Sequence, residues 1–197
     1  MQKLFSSLAL GLFLYLASCN STKEKGIVSP GTQEDETHIF PVTSFLKGQL
    51  REIDSMPVSP LRIITANGKK DSTWLNRKDI RIYAAPFLVP EIDSATMSPY
   101  FSEKSFLDQT INEFTFSYDP KVKLPDTLDI THWDVYINPQ KTTVSRVYVV
   151  KERKENNINY TTQLTWVANE WYSIRTITQK PGKEPEIKEE KMIWDFD

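Results

Sequence analysis

From residue 111 onward, apolar side chains recur at every second position, and this alternation constrains the fold more than any other feature. It is clearest in INEFTFSY, THWDVYI, YTTQLTWV and EKMIWDF, at residues 111–118, 131–137, 160–167 and 190–196. Alternation with a period of two places the apolar side chains on one face of a β-strand. The segments TVSRVYVVKE and WYSIRTIT add two more β-prone runs. Six such runs, separated by short breaks rich in Asn and Pro, are typical of an antiparallel meander with one buried face.

The sequence before this region shows helical spacing instead. SFLKGQLREIDSM places Phe45, Leu46, Gln49, Leu50 and Ile53 on one face, which predicts a helix over residues 44–55. Thr43 or Ser44 is the expected N-cap of this helix.

Two further signals follow this helix. Asn67 and Gly68 stand between two β-prone runs, and Asn-Gly is the strongest short hairpin signal. NRKDIRIYAAPFLVPEI then predicts a second helical segment, with Asn76 as its cap and Pro86 as its limit. SPYFSEKSFLDQT is ambiguous, although Ser98 and Pro99 resemble a helix start.

These patterns together predict an α+β protein. We expect an antiparallel β-meander of about six strands covered by N-terminal helices, plus a short N-terminal hairpin. The upstream helices are the natural cover for the apolar face of the sheet.

The amino-terminal residues have the pattern of an export signal. Met1 to Lys3 form a short positive start, and residues 4–17 form an almost wholly apolar run of 14 residues. This run is shorter than the roughly 20 residues that a membrane-spanning helix needs. The pattern therefore predicts a secretory signal peptide.

Directly after the apolar run, Leu16, Ala17, Ser18 and Cys19 resemble the lipobox of bacterial lipoproteins. The resemblance implies cleavage after Ser18 and attachment of diacylglycerol to Cys19, with further acylation by a fatty acid such as palmitate. Two or more acyl chains hold a protein stably on a membrane, whereas one does not. The alternative is an ordinary signal peptide that leaves Cys19, the only cysteine, as a free thiol.

This reading divides the chain into three parts. Residues 1–18 are the lipoprotein signal peptide, residues 19–41 a lipidated flexible tether, and residues 42–197 a single α+β domain. The tether prediction rests on its content of Ser, Thr, Gly, Pro and charge, with little to bury. The predicted location is the bacterial cell envelope, with the domain anchored to a membrane through the N-terminal lipid.

The charge balance gives no reason to expect nucleic-acid binding. Removing the signal peptide takes away one of the 24 basic residues, Lys3, which leaves 23 against 26 acidic residues. A net charge near −3 offers no general attraction for a phosphate backbone. Nucleic acid is therefore excluded from the expected partners.

One pair of residues has the chemistry of a general base or a metal ligand. His132 and Asp134 are two residues apart on one strand, so they share a face and could serve as a general base or as part of a metal site. No third ligand of comparable specificity is visible. Asp126, Asp129 and Asp134 are close in sequence, but this does not show the fixed separation of two carboxyl groups that a glycosidase needs. We predict no catalytic residue, no metal and no cofactor.

The tryptophans are the remaining candidates for a binding site. Trp133, Trp166, Trp171 and Trp194 fall on strands that should be neighbours. Facing a groove, they could stack on sugar rings or line a cavity for acyl chains. The favoured alternative is that they fill the core of a domain that has no disulfide.

Two further resemblances concern the domain. KKDSTWLNRKDIRIYAAPFLVPEI, FSEKSFLDQTINEFTFSY and EEKMIWDF resemble a group of small, uncharacterised bacterial lipoproteins, which implies a location but no activity. The meander around helices is similar to the periplasmic lipoprotein carriers, which hold acyl chains in a half-barrel. That second similarity is one of fold alone.

The resulting functional hypothesis is a non-enzymatic envelope lipoprotein that presents a globular domain to a protein partner. The alternative is a carrier or binder of an apolar or glycan ligand in a concavity of the sheet. A third hypothesis is a hydrolase whose residues the sequence does not identify. A filled interior with an exposed apolar patch would favour the first hypothesis, and a cavity lined by tryptophans the second.

Overall fold

The computed structural model describes residues 38–195, and its dominant feature is one antiparallel sheet of nine strands. The strands are β1 (Leu61–Ala66), β2 (Lys69–Trp74), β3 (Phe101–Asp108), β4 (Glu113–Pro120), β5 (Ile130–Asn138), β6 (Thr143–Glu155), β7 (Ile158–Val167), β8 (Trp171–Gln179) and β9 (Glu186–Ile193). Their order across the sheet is β2-β1-β9-β8-β7-β6-β5-β4-β3.

The predicted antiparallel meander is confirmed, but the prediction of about six strands was too low. The six predicted strands are β4 to β9, and the Asn-Gly hairpin supplies β1 and β2. Asn67 and Gly68 both have positive φ, 52° and 72°, as this two-residue turn requires. The hairpin is not separate, since β1 pairs with β9 from Leu61↔Ile193 to Ala66↔Lys188.

The segment that the sequence pattern left ambiguous contains β3, the one strand that was not predicted. Ser98 and Pro99 do not begin a helix; the short helix α3 (Ser94–Met97) ends there, and β3 follows from Phe101. Its sequence, FSEKSFLD, lacks alternation because residues 104–107 are all exposed at the edge of the sheet. A strand with no buried side over half its length leaves no periodic signal.

Helices cover one face of the sheet, which we call the helix side. The longest, α1 (Val42–Ser55), buries Leu46, Leu50 and Ile53, as its spacing predicts. The second helical segment is broken into turns: a 3₁₀ turn at Arg77–Asp79, α2 (Ile80–Tyr83) and another 3₁₀ turn at Ala85–Phe87. Asn76 caps the first of these, because its side chain accepts a hydrogen bond from the Lys78 N–H.

The N-cap predicted for α1 is wrong. Pro41 precedes the helix and makes no side-chain cap, and the Thr43 hydroxyl instead accepts a hydrogen bond from the Ile92 N–H at 2.8 Å. Ile39, which the sequence assigned to the tether, is 4% exposed and belongs to the core. Residues 1–37, which contain the predicted signal peptide, Cys19 and most of the predicted tether, lie outside the described residues.

The core lies between the helices and the sheet and is rich in aromatic side chains. Trp133, Val149 and Leu164 are directly opposite one another on β5, β6 and β7, and all are buried. Phe87, from the second helical segment, packs edge-on against Trp166 with ring centroids 5.3 Å apart. Burial of such rings is the main stabilising contribution available to a sheet with no disulfide.

Candidate functional site

The β3–β4 hairpin carries the clearest exposed apolar patch of the domain. Four large apolar side chains are each at least 43% exposed there, and we call this group the apolar hairpin: Phe106, Leu107, Ile111 and Phe114. Other exposed apolar residues, such as Val122 and Ile187, are dispersed over the sequence. Scattered apolar residues are normal on protein surfaces, whereas a group of this kind marks a contact site.

The apolar hairpin lies at an open edge of the sheet. Leu107 and Phe114 are directly opposite each other in the β3–β4 register, whereas Phe106 points to the other face because successive residues alternate. β3 is the last strand of the sheet, so within residues 38–195 no strand pairs with its outer edge. An unpaired edge with apolar side chains on both faces is a template for β-pairing with another chain.

The other edge of the sheet is built differently. β2 is exposed throughout, but its residues from Lys69 to Thr73 are all charged or hydroxyl-bearing. Charged side chains are a common way to prevent edge strands from pairing with other chains. Within residues 38–195, the β3 edge therefore carries more exposed apolar side chains than the β2 edge, where Trp74 is the single exposed apolar residue.

The end of the apolar hairpin is acidic. Asp108 and Glu113 are opposite each other in the last pair of the ladder, beside Leu107 and Phe114. Surfaces that bind anionic lipid carry Lys and Arg at such positions. The acidic flank therefore favours a protein contact over insertion into a membrane.

A second candidate is a polar cleft of about 900 Å³ beside the β6–β7 hairpin. Its lining includes the apolar side chains Val89, Leu124 and Leu128 together with Asp126, Asp129, Glu152, Arg153, Asn159 and Tyr160. The Arg153 guanidinium lies 5.2 Å from the centre of the Tyr160 ring. This mixture of charges, amide and aromatic ring suits a hydrogen-bonding ligand better than an acyl chain.

Lys151 and Asp129 line a smaller pocket that shares Asp129, Arg153 and Tyr160 with this cleft. The Lys151 ammonium donates hydrogen bonds to the carbonyls of Pro86, at 2.7 Å, and Val89. Burial lowers the pKa of Lys151, and the charge of Asp129 opposes this change. The Oδ1 atom of Asp129 is buried and accepts no hydrogen bond from residues 38–195. A buried oxygen without a hydrogen-bond donor is rare in folded proteins and indicates a partner, such as a water or a ligand hydroxyl, at this position.

His132, the residue considered as a general base, lies between two aspartates on the outer face of the sheet. Its Nδ1 is 2.9 Å from Asp119 Oδ1, and its Nε2 is 3.1 Å from Asp134 Oδ1. The hydrogen bond to Asp134 and that to Asp119 outweigh burial and raise the pKa of His132 to about 9. Both ring nitrogens of the imidazolium act as donors here. At neutral pH this side chain therefore holds its proton and has no free nitrogen to act as a base.

The two aspartates complete a closed network. Hydrogen bonds from His132 and from Lys104, at 3.0 Å, lower the pKa of Asp119. Burial opposes ionisation of Asp134, but hydrogen bonds from His132 and Ser117 prevail and lower its pKa. The Asp119–His132–Asp134 cluster therefore joins β4 to β5 as an ion-pair network. Among residues 38–195, no group of three or more His, Cys, Asp or Glu side chains is arranged to hold a metal ion.

The structure separates the four candidate tryptophans. Trp133, Trp166 and Trp194 are at most 2% exposed and pack against aromatic neighbours, so stacking on a ligand would require the core to open. Trp171 is half-buried on the outer face, where the Lys191 ammonium lies 4.0 Å from its ring centre. The predicted aromatic core is therefore what three of the four residues form.

The three neighbouring aspartates are also separated. Asp126 and Asp129 line the polar cleft, whereas Asp134 belongs to the cluster on the outer face. Cys19, the predicted lipid attachment site, lies outside residues 38–195. None of the described helices is long and apolar enough to cross a membrane.

Comparison of the chain with protein-family models, with curated proteins and with solved structures finds no match. Sequence patterns missed the apolar hairpin, because exposed Phe and Leu on an edge strand have the same residue types as buried ones. Adjacent Phe106 and Leu107 in FSEKSFLD were the available signal, since neighbouring strand residues cannot both face one core.

Proposed function

We propose that this chain is a lipid-anchored lipoprotein of the bacterial cell envelope whose domain acts without catalysis, by binding another protein through the apolar hairpin. The observation that carries the proposal is the exposure of Phe106, Leu107, Ile111 and Phe114 at an open sheet edge. The packed core supports it as well, since Trp133, Trp166 and Trp194 are each at most 2% exposed and contact other aromatic side chains.

The anchor part of the proposal rests on the lipobox-like sequence ending at Cys19. A lipid at Cys19 and a polar segment before Ile39 would hold the domain near a membrane while leaving its surface accessible. The binding part rests on β-strand addition, in which an edge supplies main-chain hydrogen bonds and its side chains supply specificity.

The binding part is tested by photo-crosslinking in living cells. A photoreactive amino acid replaces Leu107 of the full chain, and the matched control replaces Ile187, which has nearly the same exposure on β9. We expect a protein adduct from position 107 and none from position 187. The Leu107→Ser/Phe114→Ser double variant should lose the contact while remaining folded. A chain that forms no adduct from position 107 would contradict the proposed function.

A second candidate function is binding of a polar ligand, such as a glycan, in the polar cleft. The buried Asp129 oxygen that accepts no hydrogen bond from the described residues favours it. A glycan array probed with the full chain tests this candidate. Tyr160→Ala should abolish any signal, whereas Tyr148→Ala, on the outer face, should not. A signal that is unchanged by Tyr160→Ala would reject the cleft as the binding site.

A further inference from the structure

We propose that the partner of the apolar hairpin is a second copy of this chain, and that the outer edges of two β3 strands pair antiparallel about a two-fold axis. The inference rests on the proposed function, because it names the partner of the same surface. It would join two nine-stranded sheets into one continuous sheet. Such an interface is isologous, since each copy contributes the same surface.

The charges along β3 select one register for this pairing. In an antiparallel pair, directly opposite residues share a face, so a two-fold pairing is centred on a single residue. Centred on Phe106, the two Phe106 rings face each other, and Lys104 of each copy lies opposite Asp108 of the other. Aromatic pairs and opposite charges are the favourable cross-strand combinations.

The neighbouring registers are unfavourable. Centring on Lys104 places two ammonium groups opposite each other, and centring on Glu103 does the same with two carboxylates. Centring on Ser105 places Phe106 opposite Lys104, and centring on Leu107 places it opposite Asp108. Like charges that face each other directly are destabilising. Only the Phe106-centred register matches apolar with apolar and positive with negative.

The helices leave this part of the edge accessible. Phe101, at the start of β3, is buried in the core, whereas all four residues from Lys104 to Leu107 are exposed. The ion pair between Lys104 and Asp119 does not block the contact, because these side chains are 69% and 41% exposed. An ammonium has three donors, so Lys104 can contact Asp119 of its own chain and Asp108 of the second copy.

The membrane anchor explains why a short pairing is sufficient. Five residues on each strand, 104–108, take part, so the buried area falls below the roughly 1,200 Å² of a stable soluble complex. Chains held on one membrane surface meet at a much higher effective concentration than chains in solution. We therefore expect dimers on the membrane and dissociation in dilute detergent.

Disulfide trapping in membranes tests the pairing with the full chain. Phe106→Cys places two thiols directly opposite each other, at a Cβ separation of about 5 Å that is close to the disulfide range. Lys104→Cys is the register control, because its two thiols would lie four residues apart, about 13 Å. We expect at least ten times more disulfide-linked dimer from Phe106→Cys than from Lys104→Cys. The unaltered chain measures any background from Cys19.

A charge exchange identifies the contact as intermolecular. In a Phe106→Cys background, Asp108→Lys should lower the dimer yield at least five-fold, because two Lys pairs then face each other. Lys104→Asp should do the same through two Asp pairs. Co-expression of the two variants should restore dimer formation, since every Lys then faces an Asp. Homodimer yields that the charge changes leave unaltered would overturn the proposed register.

A second pair of cysteines covers the case in which Phe106→Cys does not fold. Ser105→Cys in one chain and Leu107→Cys in another lie opposite each other in the same register, on the helix side. Failure of both cysteine arrangements to cross-link in folded protein would overturn the self-pairing. If position 107 still forms an adduct with a different protein, the proposed function stands and self-pairing alone is rejected. If it forms no adduct, both fail.

Discussion

Gln49 on α1 and Asn169 in the turn between β7 and β8 form two hydrogen bonds with each other, although they are 120 residues apart in the sequence. The Asn169 N–H donates to Gln49 Oε1 at 2.8 Å, and Gln49 Nε2 donates to Asn169 Oδ1 at 3.1 Å. Gln49 is only 8% exposed. The pair fixes α1 over one end of the sheet and satisfies a backbone donor in a turn whose Asn169 has φ of 66°.

Replacing Gln49 by Leu should therefore destabilise the domain by about 1–3 kcal/mol, because the Asn169 N–H loses its partner within the protein. Urea unfolding followed by tryptophan fluorescence measures the change. Lys47→Ala is the control, since that side chain is exposed and its ion pair with Glu91 is worth little. A Gln49→Leu protein as stable as the parent would show that the pair does not hold the helix.

The periodicity of apolar residues predicted which faces of the individual strands and helices are buried. The alternation in THWDVYI correctly predicted that Trp133 and Val135 share the buried face, and the 3.6-residue period predicted the buried face of α1. The pairing of β1 with β9 was not predictable in this way. Leu61 and Ile193 meet across more than 130 residues, and no turn between them specifies that contact.

In the His132 cluster as well, contacts within one strand were predictable from the sequence, whereas contacts between strands were not. A spacing of two residues placed His132 and Asp134 on one face, which the structure confirms. The second carboxylate, Asp119, comes from the neighbouring strand, and its approach depends on the β4–β5 register. Exposure of the apolar hairpin depends on β3 being the last strand, which is a property of the whole sheet.

The Asp119–His132–Asp134 cluster should make stability depend on pH above neutrality. The pKa of His132 rises from an ordinary value near 6.5 to about 9 in the folded state. The folded protein therefore binds a proton more tightly than the unfolded chain, so the stabilisation is complete below about pH 6.5 and is lost as pH rises through about 9. Because Asp119 is partly exposed, we expect a loss of about 1–2 kcal/mol rather than the full linkage value.

Urea unfolding between pH 6 and pH 10 checks this dependence. His132→Gln should lower stability at pH 6 and flatten the decline between pH 6.5 and 9, because the titrating group is gone. His38→Gln is the matched control and should leave the decline unchanged, since His38 lies outside the cluster. A variant without His132 that keeps the full decline would assign the pH dependence to other groups.

The buried tryptophans should dominate stability, in contrast to Trp171. Trp166 is fully buried and contacts Phe87, Tyr172 and Trp194. Trp166→Ala should cost about 3–5 kcal/mol through lost burial and a residual cavity. Trp171→Ala should cost about 1 kcal/mol, mainly the half-buried ring and its contact with Lys191. Equal losses in urea unfolding would contradict the assignment of Trp166 to the core.

The predicted lipid anchor is tested at Cys19. Cys19→Ala removes the thiol that would carry diacylglycerol, so labelled palmitate should no longer be incorporated. The variant should also move from the membrane fraction to the soluble fraction, because stable anchoring needs two or more acyl chains. Ser18→Ala is the control, since it keeps a small residue before the cysteine and should retain the label. Undiminished labelling of the Cys19→Ala chain would contradict the proposed anchor. It would also contradict the membrane confinement that allows a five-residue edge contact to hold two copies together.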